Sequence, residues 1–202
     1  MIYNLPNNSF LKVQDIFDDI PNFMYNADII FTDPPYNQSL YSNFLNREGI
    51  IKSNKNTGIF NDFIDRLFEC INMIKPNILF LEIGKEFLSI FIEKCKFIYK
   101  YVNFYNSFFY NKKDNKCYII HATNNFKKKQ YKIFEDMDEE KIIKWICENI
   151  NYNCIGDFCM GKGLVGKYAY LNNKSFVGTE LNKKRLTILI DFILEKEKKK
   201  NG

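Results

Sequence analysis

The 202-residue chain has a single histidine, His121, and its six cysteines (Cys70, Cys95, Cys117, Cys147, Cys154 and Cys159) form no C-x-x-C pair. A zinc site of cysteine and histidine therefore lacks its usual spacing. Reduced thiols in a packed core are the simpler reading of the cysteines. No apolar run reaches bilayer length, and the N-terminus has no basic segment leading into an apolar one. Both absences argue against a membrane span or a signal peptide and lead us to expect a cytoplasmic protein. The phosphate-binding pattern G-x-x-x-x-G-K-[ST] is missing too: Lys162 stands between two glycines, and Lys167 follows Gly166 outside that spacing. No internal repeat or low-complexity linker breaks the chain.

What the chain has in quantity is aromatic residues, 17% of the total and mostly Phe and Tyr, which supports a packed globule over wholesale disorder. The length suits a single domain over residues 1 to 202. SFLKVQ and ADIIFT read as strands. NDFIDRLFECINMI places Phe63, Ile64, Leu67, Phe68, Ile71 and Ile74 on one helical stripe, which Pro76 ends before the apolar strand NILFLEI. KEFLSIFIEKC is a second helix, and FIYKYVNFYNSFFYN with KCYIIHAT forms a hairpin through Lys113, Asp114 and Asn115. Asp136 and Glu139 have the form of a capping box for a helix bearing Ile142, Ile143, Ile146 and Ile150. The strand NCIGDF, a glycine turn, a helix, the strand SFVGTEL and a lysine-ended helix follow.

This alternation predicts an α/β fold, doubly wound in three layers, with a mostly parallel sheet, an antiparallel hairpin strand at one edge and helices on both faces. Residues 37 to 61 and 124 to 137 read as polar loops, long enough to suggest a use. Net charge is only +5, but lysines gather at Lys112, Lys113 and Lys116, at Lys127 to Lys129, and at Lys196 and Lys198 to Lys200. Such clusters line phosphate backbones, and they equally decorate solvated loops and helix ends.

Two segments carry chemistry. In GDFCMGKGLVG, residues 156 to 166, Gly161 and Gly163 let a ligand approach the backbone, and the following helix offers unpaired N–H groups. Glu180 stands 23 residues beyond Asp157, at the end of the next strand. An acid about 20 residues past such a turn accepts ribose hydroxyls in dinucleotide-binding folds. By itself the pair fits a nucleoside site and a solvated strand-end acid equally. In ADIIFTDPPYNQ, residues 27 to 38, an apolar strand breaks into Asp33-Pro34-Pro35-Tyr36. Two prolines stiffen this corner. They hold still a carboxylate, a prolyl carbonyl and a phenol ring.

The two segments together resemble the S-adenosylmethionine-dependent amino-methyltransferases, which methylate exocyclic amines of adenine or cytosine, and most of all the DNA enzymes of N6-adenine type. DFCMGKGLVGKYAYLNNKSFVGTELNKKRL looks like their cofactor motif and ribose-binding strand, and IIFTDPPYN like their catalytic motif. The order, catalytic segment first, is similar to the permuted β class, and the likeness spans about residues 11 to 190. It implies S-adenosylmethionine as cofactor, DNA as partner and Asp33, Pro34, Pro35 and Tyr36 as catalytic residues. Hydrogen bonds from the target amine to the Asp33 carboxylate and the Pro34 carbonyl would expose the nitrogen lone pair, while Tyr36 stacks on a base taken out of the duplex. The resemblance also implies cofactor contacts from Asp15, Asp157, Phe158, Cys159, Gly161, Gly163, Glu180 and Asn182. Target contacts would come from Tyr36, Asn37, Tyr110 and Lys112. No metal is expected, and His121 is read as meeting a polar need within the hairpin.

The chain departs from that pattern in places. Asp157-Phe158-Cys159 stands where the family has Asp-Pro-Phe, and Lys162 replaces a small residue. NNFKKKQYKIFED is too short for a target-recognition domain, so selectivity would fall to residues 37 to 61 or to a second subunit, either another copy or a specificity subunit, or be weak. Other readings are an RNA adenine or N4-cytosine methyltransferase, and a non-catalytic subunit of this fold that binds nucleic acid or a partner. A nucleotide-dependent oxidoreductase would leave the Asp-Pro-Pro-Tyr corner unexplained.

Overall fold

The computed structural model describes residues 2–109, 112–128 and 130–201. The chain opens with strands β1 (Ile2–Leu5), β2 (Ser9–Val13) and β3 (Ile29–Thr32), then helices α1 (Gln38–Leu45) and α2 (Phe60–Ile74). Strand β4 (Ile78–Ile83), helix α3 (Leu88–Ile98) and strands β5 (Tyr101–Phe108), β6 (Lys116–Thr123) and β7 (Met137–Asp138) follow. Last come α4 (Glu139–Asn149), β8 (Cys154–Asp157), α5 (Leu164–Leu171), β9 (Ser175–Glu180) and α6 (Lys183–Asn201).

These strands form one sheet in the order β1-β2-β9-β8-β3-β4-β6-β5-β7. The five from β2 to β4 are mutually parallel. Every residue of β3, β4 and β8 is buried, which is why each reads as an unbroken apolar run: helices cover both faces. Side chains alternate between those faces. Phe31, Phe80 and Ile155 pack with Ile142, Ile146, Val165 and Leu189 from α4, α5 and α6, whereas Ile30, Leu79 and Leu81 pack with Ile64, Leu67 and Phe91 from α2 and α3. Helix α2 buries the stripe Phe63, Ile64, Leu67, Phe68 and Ile71 and stops at Lys75 in the left-handed region (φ 53°), whose N–H bonds Ile71 O at 2.8 Å. The left-handed cap turns the chain and Pro76 bars any continuation.

The structure corrects three details. The antiparallel hairpin strand is not at the edge: β6 lies inside, between β4 and β5, and the edges are β7 and β1. The cap of α4 is Asp138, whose carboxylate accepts the Glu140 N–H at 3.1 Å, while Asp136 lies two residues earlier at φ 55°. Within the expected loop from 37 to 61, residues 38 to 45 form α1, capped by Asn37, which accepts the Leu40 N–H at 3.0 Å.

From β8 the chain winds through α5 to β9, and from β3 through α2 to β4 on the opposite side. The order reverses between β3 and β8. A crevice forms at such a point beyond the carboxyl ends of the strands.

Candidate active site

Strand β8 ends at Asp157, and the glycine turn follows with Gly161 at φ 54° and Gly163 at φ 80°. Only glycine adopts these angles without cost. Space demands glycine at 163 as well, since a Cβ there would lie 2.6 Å from Leu189 of α6. The Asp157 carboxylate accepts the Cys159 N–H at 2.9 Å, and the same N–H reaches Thr32 Oγ1 at 3.2 Å. Burial pushes Asp157 up to about 7, against the pull of the Cys159 N–H and the Thr32 hydroxyl. Thr179 Oγ1 donates to the carbonyl of buried Phe158 at 3.1 Å.

Glu180 ends β9 and accepts the Gly161 N–H at 2.6 Å and the Asn182 N–H at 2.9 Å, so the acid and the turn are one unit. Burial raises its carboxyl, and these N–H groups and Arg185 oppose the rise. The Asn182 side chain accepts the Lys184 N–H at 2.9 Å at the start of α6.

Asp15, just beyond β2, is buried and fully engaged. Its carboxylate accepts the N–H groups of Phe17 (3.2 Å) and Ser53 (2.9 Å) and the Asn56 amide (2.8 Å). Residues 48 to 56 thus form a strap across the carboxyl ends of β2 and β9, continued by Ile51 N–H to Leu181 O at 3.1 Å and by a bridge between Ile50 and Asn182.

The Asp33-Pro34-Pro35-Tyr36 corner leaves β3 beside this unit, because β3 and β8 are adjacent, with Ile30 opposite Gly156. Pro34 and Pro35 are buried while Asp33 is exposed. Among the described residues no hydrogen bond reaches the Pro34 carbonyl. Asp33, Glu82 at the end of β4 and Glu139 at the start of α4 bring one oxygen apiece within 4.8 Å of one another. Such a set could hold a cation. Enclosure by protein mass and then the charges of Glu82, Glu139 and Asp157 drive Asp33 well above the carboxylate range. Since Asp33 is open on its outer side, the neighbouring carboxylates are the cause that geometry supports best. Burial, then Glu139, lifts Glu82 to about 8, and burial, then Asp138 and Glu140, lifts Glu139 to about 7. Tyr36 Oη donates a short hydrogen bond to Glu82 Oε1, and Phe109 meets the Tyr36 ring edge-on at 6.0 Å.

The structure thus brings Asp33, Tyr36, Asp157, Phe158, Cys159, Gly161, Gly163, Glu180 and Asn182 to one end of the sheet. Lys112 is exposed in the β5–β6 turn at that end. Asn37 serves as a helix cap. Tyr110 lies outside the described residues. His121 differs from expectation: it is wholly buried, neither ring nitrogen has a hydrogen-bond partner among the described residues, and it stacks on Phe80 at 5.1 Å and packs against Tyr131 at 4.8 Å. Burial lowers its pKa to about 4.

The lysines divide. The 112–116 turn is at the site end, but α6 starts there and runs away for 19 residues, about 28 Å at 1.5 Å per residue, which carries Lys196 to Lys200 far from the crevice. Thr32, Glu82 and Gly84 escape the sequence reading, and Glu139 reads only as part of a helix cap. Of the first three, only Glu82 gives a signal: a lone acid within the apolar run ILFLEI.

No protein-family model matches the chain, and no curated protein matches it. Solved structures do match. M1.HpyAVI aligns with a TM-score of 0.60 at 17% identity over 90% of this chain and 97% of its own. A Thermus thermophilus protein complexed with S-adenosyl-L-methionine gives 0.60 at 14% identity, covering 92% and 94%. The PvuII DNA methyltransferase (cytosine-N4-specific) gives 0.56 at 10% identity, covering 92% and 86%. Likeness at such identities establishes architecture: this chain has the mixed, largely parallel Rossmann-like α/β fold that these structures share.

Proposed function

We propose that the protein transfers a methyl group from S-adenosylmethionine to the N6 amine of adenine in DNA. One observation carries the reading: Thr32, the residue before Asp33, is hydrogen-bonded to the Cys159 N–H of the glycine turn, so the amine acceptor and the nucleoside cradle belong to one crevice.

The residues suit the cofactor. Gly161, at positive φ, has nothing nearer than 3.9 Å to the place a Cβ would take and so leaves room for a ligand, and Glu180, which accepts its N–H, would face the ribose. S-adenosylmethionine, when bound, supplies a methyl group already activated on a sulfonium. The turn from Asp157 to Gly163, with Glu180, would hold it, and the strap tied to Asp15 would close the adenosine side.

Asp33 and the Pro34 carbonyl accept hydrogen bonds from the target amine, which localises its lone pair. Asp33, when ionised, then receives the proton that the methylated nitrogen gives up, directly or through water, and its raised pKa favours that transfer. Tyr36 stacks on the extruded base. Protein catalysis here is chiefly positioning and charge stabilisation. Lys112, Lys113 and the strap residues Lys52 and Lys55 border the site end and would contact phosphates, so affinity should fall with salt. Adenine is favoured over cytosine by Asp, rather than Ser, at the first motif position. A homodimer or a separate specificity subunit would supply the sequence selectivity that the short 124–137 segment does not.

The test is incubation with labelled methyl donor and unmethylated DNA and RNA, followed by nucleoside analysis. N6-methyladenine from DNA is expected. 4-Methylcytosine, or label confined to RNA, would replace the target. Cofactor binding without transfer to any polymer would favour a non-catalytic subunit.

A further inference from the structure

Glu82 is the one fully buried acid of β4, a strand otherwise made of Ile, Leu and Phe. A carboxyl group in a sheet core costs several kcal/mol unless something holds it. Here Oε1 takes the hydrogen bond from Tyr36 Oη, whereas among the described residues Oε2 has no hydrogen-bond partner. Its other neighbours are the carboxyl groups of Asp33 and Glu139, one oxygen of each lying within 4.8 Å. Two residues on, a Cβ at Gly84 would lie 3.2 Å from Tyr36 Cβ and Cδ2 and 3.3 Å from Cγ. The ring therefore lies on bare backbone. Its hydroxyl is tethered at one end of the Glu82-Ile83-Gly84 segment, its root is seated at the other, and Phe109 stands edge-on at 6.0 Å.

A tyrosine on the outer wall of a cleft ordinarily turns among several rotamers, so its stacking face points in no fixed direction. The contacts from Glu82 in β4 and from Gly84 just past its end remove that freedom. They come from a different strand than the one that leads into the Asp-Pro-Pro-Tyr corner, which makes the ring's tilt a property of the sheet rather than of that corner.

We propose that Glu82 is the positioning residue for base recognition: through Tyr36 Oη, and with Gly84 as the floor, it fixes the tilt at which Tyr36 receives the extruded base. The inference deepens the methyl-transfer reading and rests on it for the identity of the stacked partner.

Glu82→Gln keeps an acceptor for Tyr36 Oη, Glu82→Leu removes it without opening a cavity, and Tyr36→Phe removes the donor while keeping a ring. Two readouts apply to all three and to the Leu–Phe double variant. One is steady-state transfer to unmethylated DNA at saturating cofactor. The other is quenching of 2-aminopurine in a single-stranded oligonucleotide, which reports stacking without chemistry.

Glu82→Leu and Tyr36→Phe should each lower kcat/KM for DNA about tenfold, the scale of one hydrogen bond, and weaken the quench. The double variant should be no worse than either single. Glu82→Gln should recover most of both signals, with cofactor affinity unaltered throughout. Unfolding midpoints check that Glu82→Leu, which removes a buried orphan oxygen, still folds. Multiplying losses in the double variant, or a Gln variant as impaired as Leu, would overturn the proposal. If the wild type shows this pattern of quenching yet transfers no methyl group, the chemistry is wrong and the positioning role stands.

Discussion

Replacing Gly163 with alanine tests how tightly the glycine turn is clamped to the last helix. Two costs add. At φ 80° an L-residue pays about 1–2 kcal/mol for the left-handed region. The new Cβ would also lie 2.6 Å from both Cβ and Cδ2 of Leu189. A rotamer change moves Cδ2 but not Cβ, so α6 or the turn must shift, at about 1–3 kcal/mol for overpacking. Together these predict about 2–5 kcal/mol lost, a large share of a typical domain's stability. Gly161→Ala is the control. It shares the positive φ (54°), but its Cβ would find nothing nearer than 3.9 Å, so only the conformational cost of about 1–2 kcal/mol applies. Urea unfolding of Gly163→Ala, Leu189→Gly, which removes the clashing Cβ, and the double variant gives a cycle in which the clash appears as coupling of about 1–3 kcal/mol, the double variant being more stable than additivity allows. A Gly163→Ala no more destabilised than Gly161→Ala, or an additive cycle, would refute the clamp.

His121→Phe should change the acid limb of the stability profile. The folded-state pKa is about 4 against an ordinary 6.5, so the unfolded chain binds the proton first. The wild type then loses roughly 3 kcal/mol as pH falls through that window, and the variant should not. The raised carboxyls of Glu82 and Asp157 act oppositely, giving stability below their unfolded values that is lost as pH rises through about 7 to 8, so the wild-type-minus-variant difference between pH 7 and 4 is the quantity to measure. An equal acid loss in both proteins would mean that His121 is not the cause. Glu180→Ala should weaken S-adenosylmethionine binding by about 1–3 kcal/mol, read by calorimetry, from lost hydrogen bonds to a charged acceptor. An unchanged dissociation constant would put the ribose elsewhere.

Where periodicity or backbone chemistry was strong, the sequence was legible. The unbroken apolar runs of β3, β4 and β8, the α2 stripe ending at Pro76, and the glycine turn with Glu180 all stand where their residues indicate. What escaped depended on neighbours distant in the chain. Strand β1 is half exposed and too short to pattern, and two-residue β7 exists only because β5 pairs with it. That unseen pairing also displaced the cap from Asp136 to Asp138. Asp33 and Glu139 meet across 106 positions, a proximity that no spacing rule encodes. The general rule that buried polar atoms have a hydrogen-bond partner fails at His121, where aromatic stacking takes that place.

The account depends on Asp33 acting on the target amine beside an independently formed cofactor cradle. Labelled-methyl transfer by Asp33→Ala, with the S-adenosylmethionine dissociation constant measured on the same preparation, tests this most directly. Transfer should fall at least about 100-fold, the scale of losing a preorganised electrostatic partner, while cofactor affinity holds. Turnover near the wild-type rate in a variant that still binds cofactor would contradict it.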